Sequence, residues 1–140
     1  MTTESPSGAP PGYQTVSPYL LYEDADRIVT WLTLGFGFVE RRTTMGAAGR
    51  NHHEMLLGDD GLVMFGQMGP SFQSVRSAGV DSPAMVHVYV ADVDALLQRA
   101  TVAGAEVTDI EISPAGDRRF VATDPEGIPW VFAQRVGGDR

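Results

Sequence analysis

The chain has 140 residues, a net charge of −8 and no cysteine, which fits one domain and excludes disulfides, thiol nucleophiles and cysteine metal sites. All ten basic residues other than histidine are arginine, so Schiff-base chemistry on a lysine is excluded, and the acidic balance argues against nucleic acid and membrane surfaces as partners. The first residues are polar and rich in proline, without an apolar signal segment, so we expect a cytoplasmic protein.

The first half of the chain predicts a strand, a helix and three further strands. Residues 1–14 are rich in Pro, Gly, Ser and Thr, which predicts a disordered tail. Apolar residues at helical spacing predict the helix, and Gly35 and Gly37 follow its last turn. The five predicted elements are residues 15–22, 25–34, 38–44, 52–57 and 62–66.

The second half repeats this order after a polar linker loop over residues 67–83. Its predicted elements are residues 84–90, 93–103, 106–112, 118–123 and 129–134. The halves also match in sequence, since Asp24 corresponds to Asp92 and Gly61 to Gly127. We therefore predict one α+β domain over residues 15–135, built from two βαβββ repeats, residues 15–66 and 84–134. Their sheets are expected to curl around a shared cleft, with the helices outside.

Several segments resemble the glyoxalase, bleomycin-resistance and extradiol-dioxygenase superfamily, which has the vicinal oxygen chelate fold. In the second half these are Asp92-Val-Asp-Ala-Leu, Asp124-Pro-Glu-Gly and Trp130-Val-Phe-Ala-Gln. In the first half, residues 52–65 resemble the glyoxalase-like subgroup, which carries a His-x-Glu on its third strand. The resemblance implies metal-dependent lyases, isomerases or dioxygenases, or metal-free proteins that bind antibiotics. It also implies a homodimer.

The resemblance further implies four strand positions that hold one divalent ion in the metalloenzymes. Counted from the matching acidic residues and turns, these positions hold Ser17, Phe65, Met85 and Val131. None of these side chains is a good ligand for a hard metal ion. We therefore predict that the usual metal site is absent and that no cofactor is bound.

The cleft is predicted to be mostly apolar with a few polar groups, which suits a flat or aromatic organic ligand. Alternation along residues 84–90 places Met85, His87 and Tyr89 on the face toward the cleft. One of the adjacent arginines, Arg119, could hold a carboxylate or phosphate there, or lie at a solvated hairpin base. The predicted ligand-binding residues are Ser17, Tyr19, Phe65, Met85, Tyr89, Arg119 and Val131.

The candidate catalytic residues are His52, Glu54 and His87. His52 and Glu54 lie two apart on one strand and so share a face. Either histidine could act as a general base near neutral pH, with Glu54 orienting it. Both could instead be ordinary surface or core residues. An irregular metal site formed by all three is a further alternative.

These observations lead to three hypotheses. The favoured one is binding of a small organic molecule in an apolar cleft without a metal, either to sequester an antibiotic or as a cofactor-independent tailoring step in secondary metabolism. The second is a metal-dependent lyase, isomerase or dioxygenase with a shifted site. The third is an interaction module without a small ligand.

Overall fold

A computed structural model describes residues 8–45 and 51–136 of the chain; residues 1–7 of the predicted tail lie outside this part. The first repeat contains β1 (Tyr19–Tyr22), α1 (Ala25–Phe36), β2 (Val39–Met45), β3 (Asn51–Leu57) and β4 (Gly61–Gln67). A short helix, α2 (Val75–Ala78), lies in the linker. The second repeat contains β5 (Val86–Tyr89), α3 (Val93–Val102), β6 (Glu106–Val107), β7 (Glu111–Ile112), β8 (Asp117–Thr123) and β9 (Pro129–Arg135). The predicted α+β class and the two repeats are confirmed.

Each repeat forms its own sheet. The first sheet has the order β1-β4-β3-β2, and the second has the order β5-β9-β8-β6, with β7 also paired to β8. The first strand of each repeat runs parallel to the last, and Tyr19 pairs with Met64 as His87 pairs with Val131. In this topology β1 and β5 are both edge strands.

The two main helices begin and end on local signals. Asp24 caps α1 by accepting a hydrogen bond from the Arg27 amide, and Asp92 caps α3 in the same way. Gly37 ends α1 in the left-handed conformation, with φ of 77°, which glycine adopts without steric cost. Gly35 lies inside the helix instead, buried close to the Cβ of Ala103.

The helices lie between the two sheets, which differs from the predicted placement outside them. Ile28 and Leu32 of α1 pack with Met55 of the first sheet in one buried core. The same helix reaches the second sheet, because Phe36 stacks on Phe132 with ring centroids 4.5 Å apart. The apolar sides of both sheets and both helices thus share one core, so the opposite faces of the sheets point away from the helices.

The Asp124-Pro-Glu-Gly corner, predicted as a turn, joins the two repeats. Asp124 is completely buried, and its carboxylate accepts hydrogen bonds from the Tyr22 hydroxyl at 2.7 Å and the Trp130 indole at 3.1 Å. The Glu126 carboxylate accepts from the backbone amides of Glu23 and Asp24, both at 2.7 Å. These bonds fix the end of β1 against the β8–β9 corner.

The remaining differences from prediction are local. The first strand begins at Tyr19, directly after Pro18, since proline cannot donate to the ladder. The strand predicted over residues 106–112 is split into β6 and β7, which both pair with β8. Within the described residues, no helix combines the length and the apolar character needed to cross a membrane.

Candidate functional site

The side of the first sheet that faces away from α1 is here called the first open face. Strand pairing brings Tyr19, Met64, Glu54 and Gly66 onto it, together with His52. Tyr19 and Leu21 share one face of β1 and are 46% and 43% exposed. Around Tyr19 and Leu21, this face is therefore left uncovered by the residues that the structure describes.

Glu54 lies at the centre of the first open face and is almost fully buried. Its carboxylate accepts hydrogen bonds from the Tyr13 hydroxyl, at 2.9 Å to each oxygen. Arg41 donates to it at 3.1 Å, and His52 Nε2 lies 3.2 Å away. Burial alone raises the pKa of Glu54, but hydrogen bonds from His52, Tyr13 and Arg41 outweigh it and hold that pKa below its usual range.

These contacts link Tyr19, His52 and Glu54 into a chain of hydrogen bonds. The carboxylate of Glu54 can only accept, so His52 Nε2 carries a proton toward it. In the neutral imidazole, this leaves Nδ1 to accept from the Tyr19 hydroxyl, 2.8 Å away. Burial and the nearby Glu54 charge raise the pKa of Tyr19, which keeps its proton in place. The chain Tyr19–His52–Glu54 could move a proton from a group bound beside the Tyr19 oxygen to His52.

The corresponding side of the second sheet is the second open face. It carries His87 and Tyr89, both exposed, and Met85 just before β5 is 62% exposed. Pairing adds Val131 opposite His87 and Ala133 opposite Tyr89. No described residue of the chain covers His87, Tyr89 or Met85 on this face.

A second buried carboxylate organises this face. Asp117 accepts hydrogen bonds from Arg135 and from the Tyr89 hydroxyl, the latter at 2.9 Å. Arg135 also donates to the Tyr89 oxygen at 2.9 Å. The Arg135 hydrogen bond, against a smaller opposing effect of burial, holds the pKa of Asp117 below its usual range. His87 packs against Tyr89, with ring centroids 4.9 Å apart.

The predicted position of Phe65 is wrong by one residue. Phe65 is completely buried on the helix side, with its ring edge-on to Tyr22 at 5.5 Å. Met64 takes the place equivalent to Val131, because the two pair with Tyr19 and His87 respectively. The turns before β4 and β9 differ in length, so counting from the turn glycines shifts the register by one, and such a shift reverses the face of a strand.

The other predicted residues are distributed over both open faces. Ser17 lies half-buried just before β1. Arg119 lies on the second open face, opposite Ala133, and forms an ion pair with Glu111 at 3.4 Å. The neighbouring Arg118 pairs with Asp94 of α3.

The structure does not bring the three predicted catalytic residues together in one chain. His52 and Glu54 share the first open face, whereas His87 lies on the second. In the described ranges, no group of three or more histidine, aspartate or glutamate side chains is placed to hold a metal ion. The donor set at the family's metal positions, Ser17, Met64, Met85 and Val131, does not fit a hard ion either.

Sequence reasoning missed four residues of the site: Tyr13, Arg41, Asp117 and Arg135. Arg41 reaches Glu54 because the β2–β3 register shifts between Glu40 and Arg42, and such a bulge re-aims a side chain. Tyr13 lies in the predicted tail. Asp117 and Arg135 do share a visible signal, since they pair across the ends of β8 and β9.

Comparisons with known proteins agree with this architecture. The family model for the Glyoxalase/Bleomycin resistance protein/Dioxygenase superfamily matches residues 14–132. Uncharacterized proteins from Mycobacterium bovis and Mycobacterium tuberculosis are 35% identical over 130 residues, which is 86% of this chain and 83% and 74% of theirs.

Solved structures show the same similarity. TioX from Micromonospora sp. ML1 is 35% identical with a TM-score of 0.65, over 84% of this chain and 95% of its own. Glyoxalase I from Zea mays has a TM-score of 0.70 at 16% identity, over 86% of this chain and 45% of its own, and shows the fold alone. On the family match and these identities, the chain belongs to the glyoxalase, bleomycin-resistance and dioxygenase superfamily.

Proposed function

We propose that this protein binds a small organic molecule, without a metal ion, in a cleft that forms between two copies of the chain. The first open face of one copy supplies one wall, and the second open face of the other copy supplies the opposite wall. The observation that carries the proposal is the exposure of both faces. Tyr19, Leu21, Met85 and Tyr89 are 43–62% exposed, on sheet faces that the helices of the same chain do not cover.

The edges of the sheets support a second copy as the partner. In the part of the chain that the structure describes, β1 and β5 are edge strands next to these faces, and edge strands are places where another strand can pair. A cavity of about 360 Å³ lies along β5 and is bounded on its other side by Gln14, Pro18 and the β3–β4 turn. A two-fold axis would place each β1 beside the partner's β5 and would create two equivalent clefts.

The chemistry of the faces supports binding without a metal. The positions that hold the ion in metalloenzymes of the family are occupied by a hydroxyl, two thioethers and an aliphatic side chain. The remaining surface offers aromatic rings with hydroxyl and imidazole groups at their edges, and such surfaces bind organic molecules by shape and a few hydrogen bonds. Sequestration of an antibiotic is the form of this function that requires binding alone and no catalytic group.

A second form, a cofactor-independent enzyme, is favoured by the Tyr19–His52–Glu54 chain. A ligand hydroxyl beside the Tyr19 oxygen could lose its proton to that oxygen while Tyr19 passes its own proton to His52. The imidazolium that results is stabilised by the Glu54 carboxylate. Such a step would accelerate reactions that begin with loss of a proton.

Ligand titration and a measurement of oligomeric state test the shared cleft. A bleomycin-class antibiotic and a set of planar aromatic compounds are titrated by calorimetry in the presence of EDTA, and the oligomeric state is measured by sedimentation. We expect a dimer whose binding survives EDTA, and we expect His52→Ala and Tyr89→Ala each to weaken it. Leu34→Ala, an exposed change on α1 away from both faces, serves as the control.

When the two weakened variants are mixed and allowed to exchange, each mixed dimer contains one cleft with both changes and one intact cleft. Random exchange restores about a quarter of the sites. A monomer, binding that requires added metal, or no restoration on mixing would contradict the proposal.

A further inference from the structure

The N-terminal segment, residues 8–18, lies against the first open face and brings Tyr13 onto Glu54. The hydroxyl of Tyr13 bridges both carboxylate oxygens, and the Arg41 guanidinium lies over its ring, 4.3 Å from the centroid. Arg41 also donates to the Gly12 carbonyl at 2.6 Å. The Gln14 side chain accepts from the Leu62 amide at 3.1 Å. Up to residue 17 the segment is therefore held to the sheet by contacts that involve side chains, and the backbone ladder begins where the Met64 amide donates to the Pro18 carbonyl at 3.2 Å.

These contacts are the kind that a bound molecule makes. An aromatic ring rests on a guanidinium, and its hydroxyl donates to a buried, charged carboxylate. Tyr13 belongs to neither sheet, and among the described residues it is the donor to Glu54 that comes from outside the sheet. If Tyr13 leaves, Glu54 keeps Arg41 and His52 and gains a free acceptor position that faces the cleft.

We propose that Tyr13 is a tethered occupant of the ligand site, and that the natural ligand carries an aromatic ring with a hydroxyl group that replaces the Tyr13 phenol on Glu54 and Arg41. This inference rests on the proposed function and names the class of ligand. Rings that lack a donor are selected against, because they leave the Glu54 acceptor unpaired. Aromatic carboxylates are selected against by charge repulsion from the same group.

A tethered group competes with a free ligand at a high effective concentration, on the order of millimolar for a short flexible tether. Wild-type protein should therefore bind a small phenol weakly. Removal of the tethered ring should expose the position, and a free phenol of the same shape should fill it.

The probe is 4-methylphenol, which reproduces the Tyr13 side chain, and 4-methylanisole is the matched probe without a donor. Dissociation constants are measured by NMR titration for wild type, Tyr13→Ala and Tyr13→Phe. We expect Tyr13→Ala to bind 4-methylphenol at least about tenfold more tightly than wild type, with no gain for 4-methylanisole. Addition of Glu54→Gln to Tyr13→Ala should abolish the difference between the two probes.

Tyr13→Phe keeps the ring and removes only the hydroxyl, so it provides a folded comparison if the alanine variant is unstable; we expect a smaller gain in the same direction. Val16→Ala, which changes an exposed side chain of the same segment, is the control and should bind 4-methylphenol as wild type does. Equal affinity of wild type and both Tyr13 variants, or equal gains for both probes, would overturn the inference.

The probe fits within one open face, so its binding does not require a second copy. Binding of the larger antibiotics without any gain for 4-methylphenol would therefore refute only the role of Tyr13. A gain for 4-methylphenol in a protein that binds none of the larger compounds would refute only the proposed function.

Discussion

Replacement of Asp124 by alanine should remove much of the stability of the fold. The carboxylate accepts four hydrogen bonds: from the Tyr22 hydroxyl, the Trp130 indole and the backbone amides of Glu126 and Ile128. Asp124→Ala leaves all four donors without this acceptor in a site where its own side chain has no exposure. Tyr22 belongs to the first repeat and the other three donors to the second, so the change also loosens the joint between them.

The size of the effect follows from the burial of these donors. A buried donor that loses its acceptor costs about 1–3 kcal/mol. Water can reach the part-buried Ile128 amide, and the costs are not additive, so we expect a total loss of about 3–5 kcal/mol. Asp124→Asn keeps one oxygen for the two amides but sets its NH₂ group against the Trp130 N–H, and should lose about 1–3 kcal/mol. The total free energy of unfolding of a domain of this size is about 5–15 kcal/mol.

Urea unfolding followed by tryptophan fluorescence measures these losses, because Trp130 is one of the donors. Asp94→Ala is the matched control, since Asp94 forms an exposed ion pair with Arg118 and its loss should cost less than about 1 kcal/mol. If Asp124→Ala cannot be purified in folded form, the asparagine variant carries the test. A loss below about 1 kcal/mol for Asp124→Asn, or no difference from the Asp94 control, would refute this account of the joint.

Three further predictions concern the open face and the joint. The pKa of Glu54 is lower in the folded state than its ordinary value of 4.5. The ionised Glu54 side chain therefore stabilises the fold above pH 4.5, and this stabilisation is lost as the pH falls through the folded-state pKa. Between about pH 6 and pH 3, the urea midpoint should fall less steeply for Glu54→Gln than for wild type. Gly66→Ala would place a Cβ 2.6 Å from the Tyr19 hydroxyl, so it should displace that hydroxyl from His52, visible as a shift of the His52 ring signals in NMR, with little change in the urea midpoint. Gly127→Ala should cost about 1–3 kcal/mol in urea unfolding, because its φ is +97° and the new Cβ would lie 2.9 Å from an α2 side chain; an unchanged midpoint would contradict this.

The repeat and most of its elements could be predicted because their signals are local. Helical spacing and acidic caps mark α1 and α3, and glycines follow them. The joint could not be predicted in this way. Nothing near Asp124 in the sequence indicates that it meets Tyr22, more than a hundred residues earlier, because that contact depends on how the two sheets pack. The same holds for the position of the helices between the sheets.

The candidate site could be predicted only in part, because the strand register decides which face each side chain occupies. Alternation along β3 and β5 correctly places His52 with Glu54, and His87 with Tyr89, on common faces. The position of Phe65 failed because one residue of difference between two turns reverses the face of a strand. Arg41 depends on a bulge and Tyr13 on a segment outside the regular elements, and neither leaves a periodic signal.

The charged groups on the open faces restrict the chemistry of the proposed ligand more than the net charge of −8 does. The central carboxylate of each face, Glu54 or Asp117, is matched by an arginine and a tyrosine hydroxyl. Arg119 on the second face is matched by Glu111. A cationic ligand would therefore compete with arginine for each of these carboxylates, and an anionic ligand would compete with a carboxylate for each arginine. A neutral molecule with an aromatic surface and hydroxyl groups competes with neither the arginines nor the carboxylates. The acidic character of the chain should therefore contribute little to recognition. Binding should depend only weakly on salt concentration.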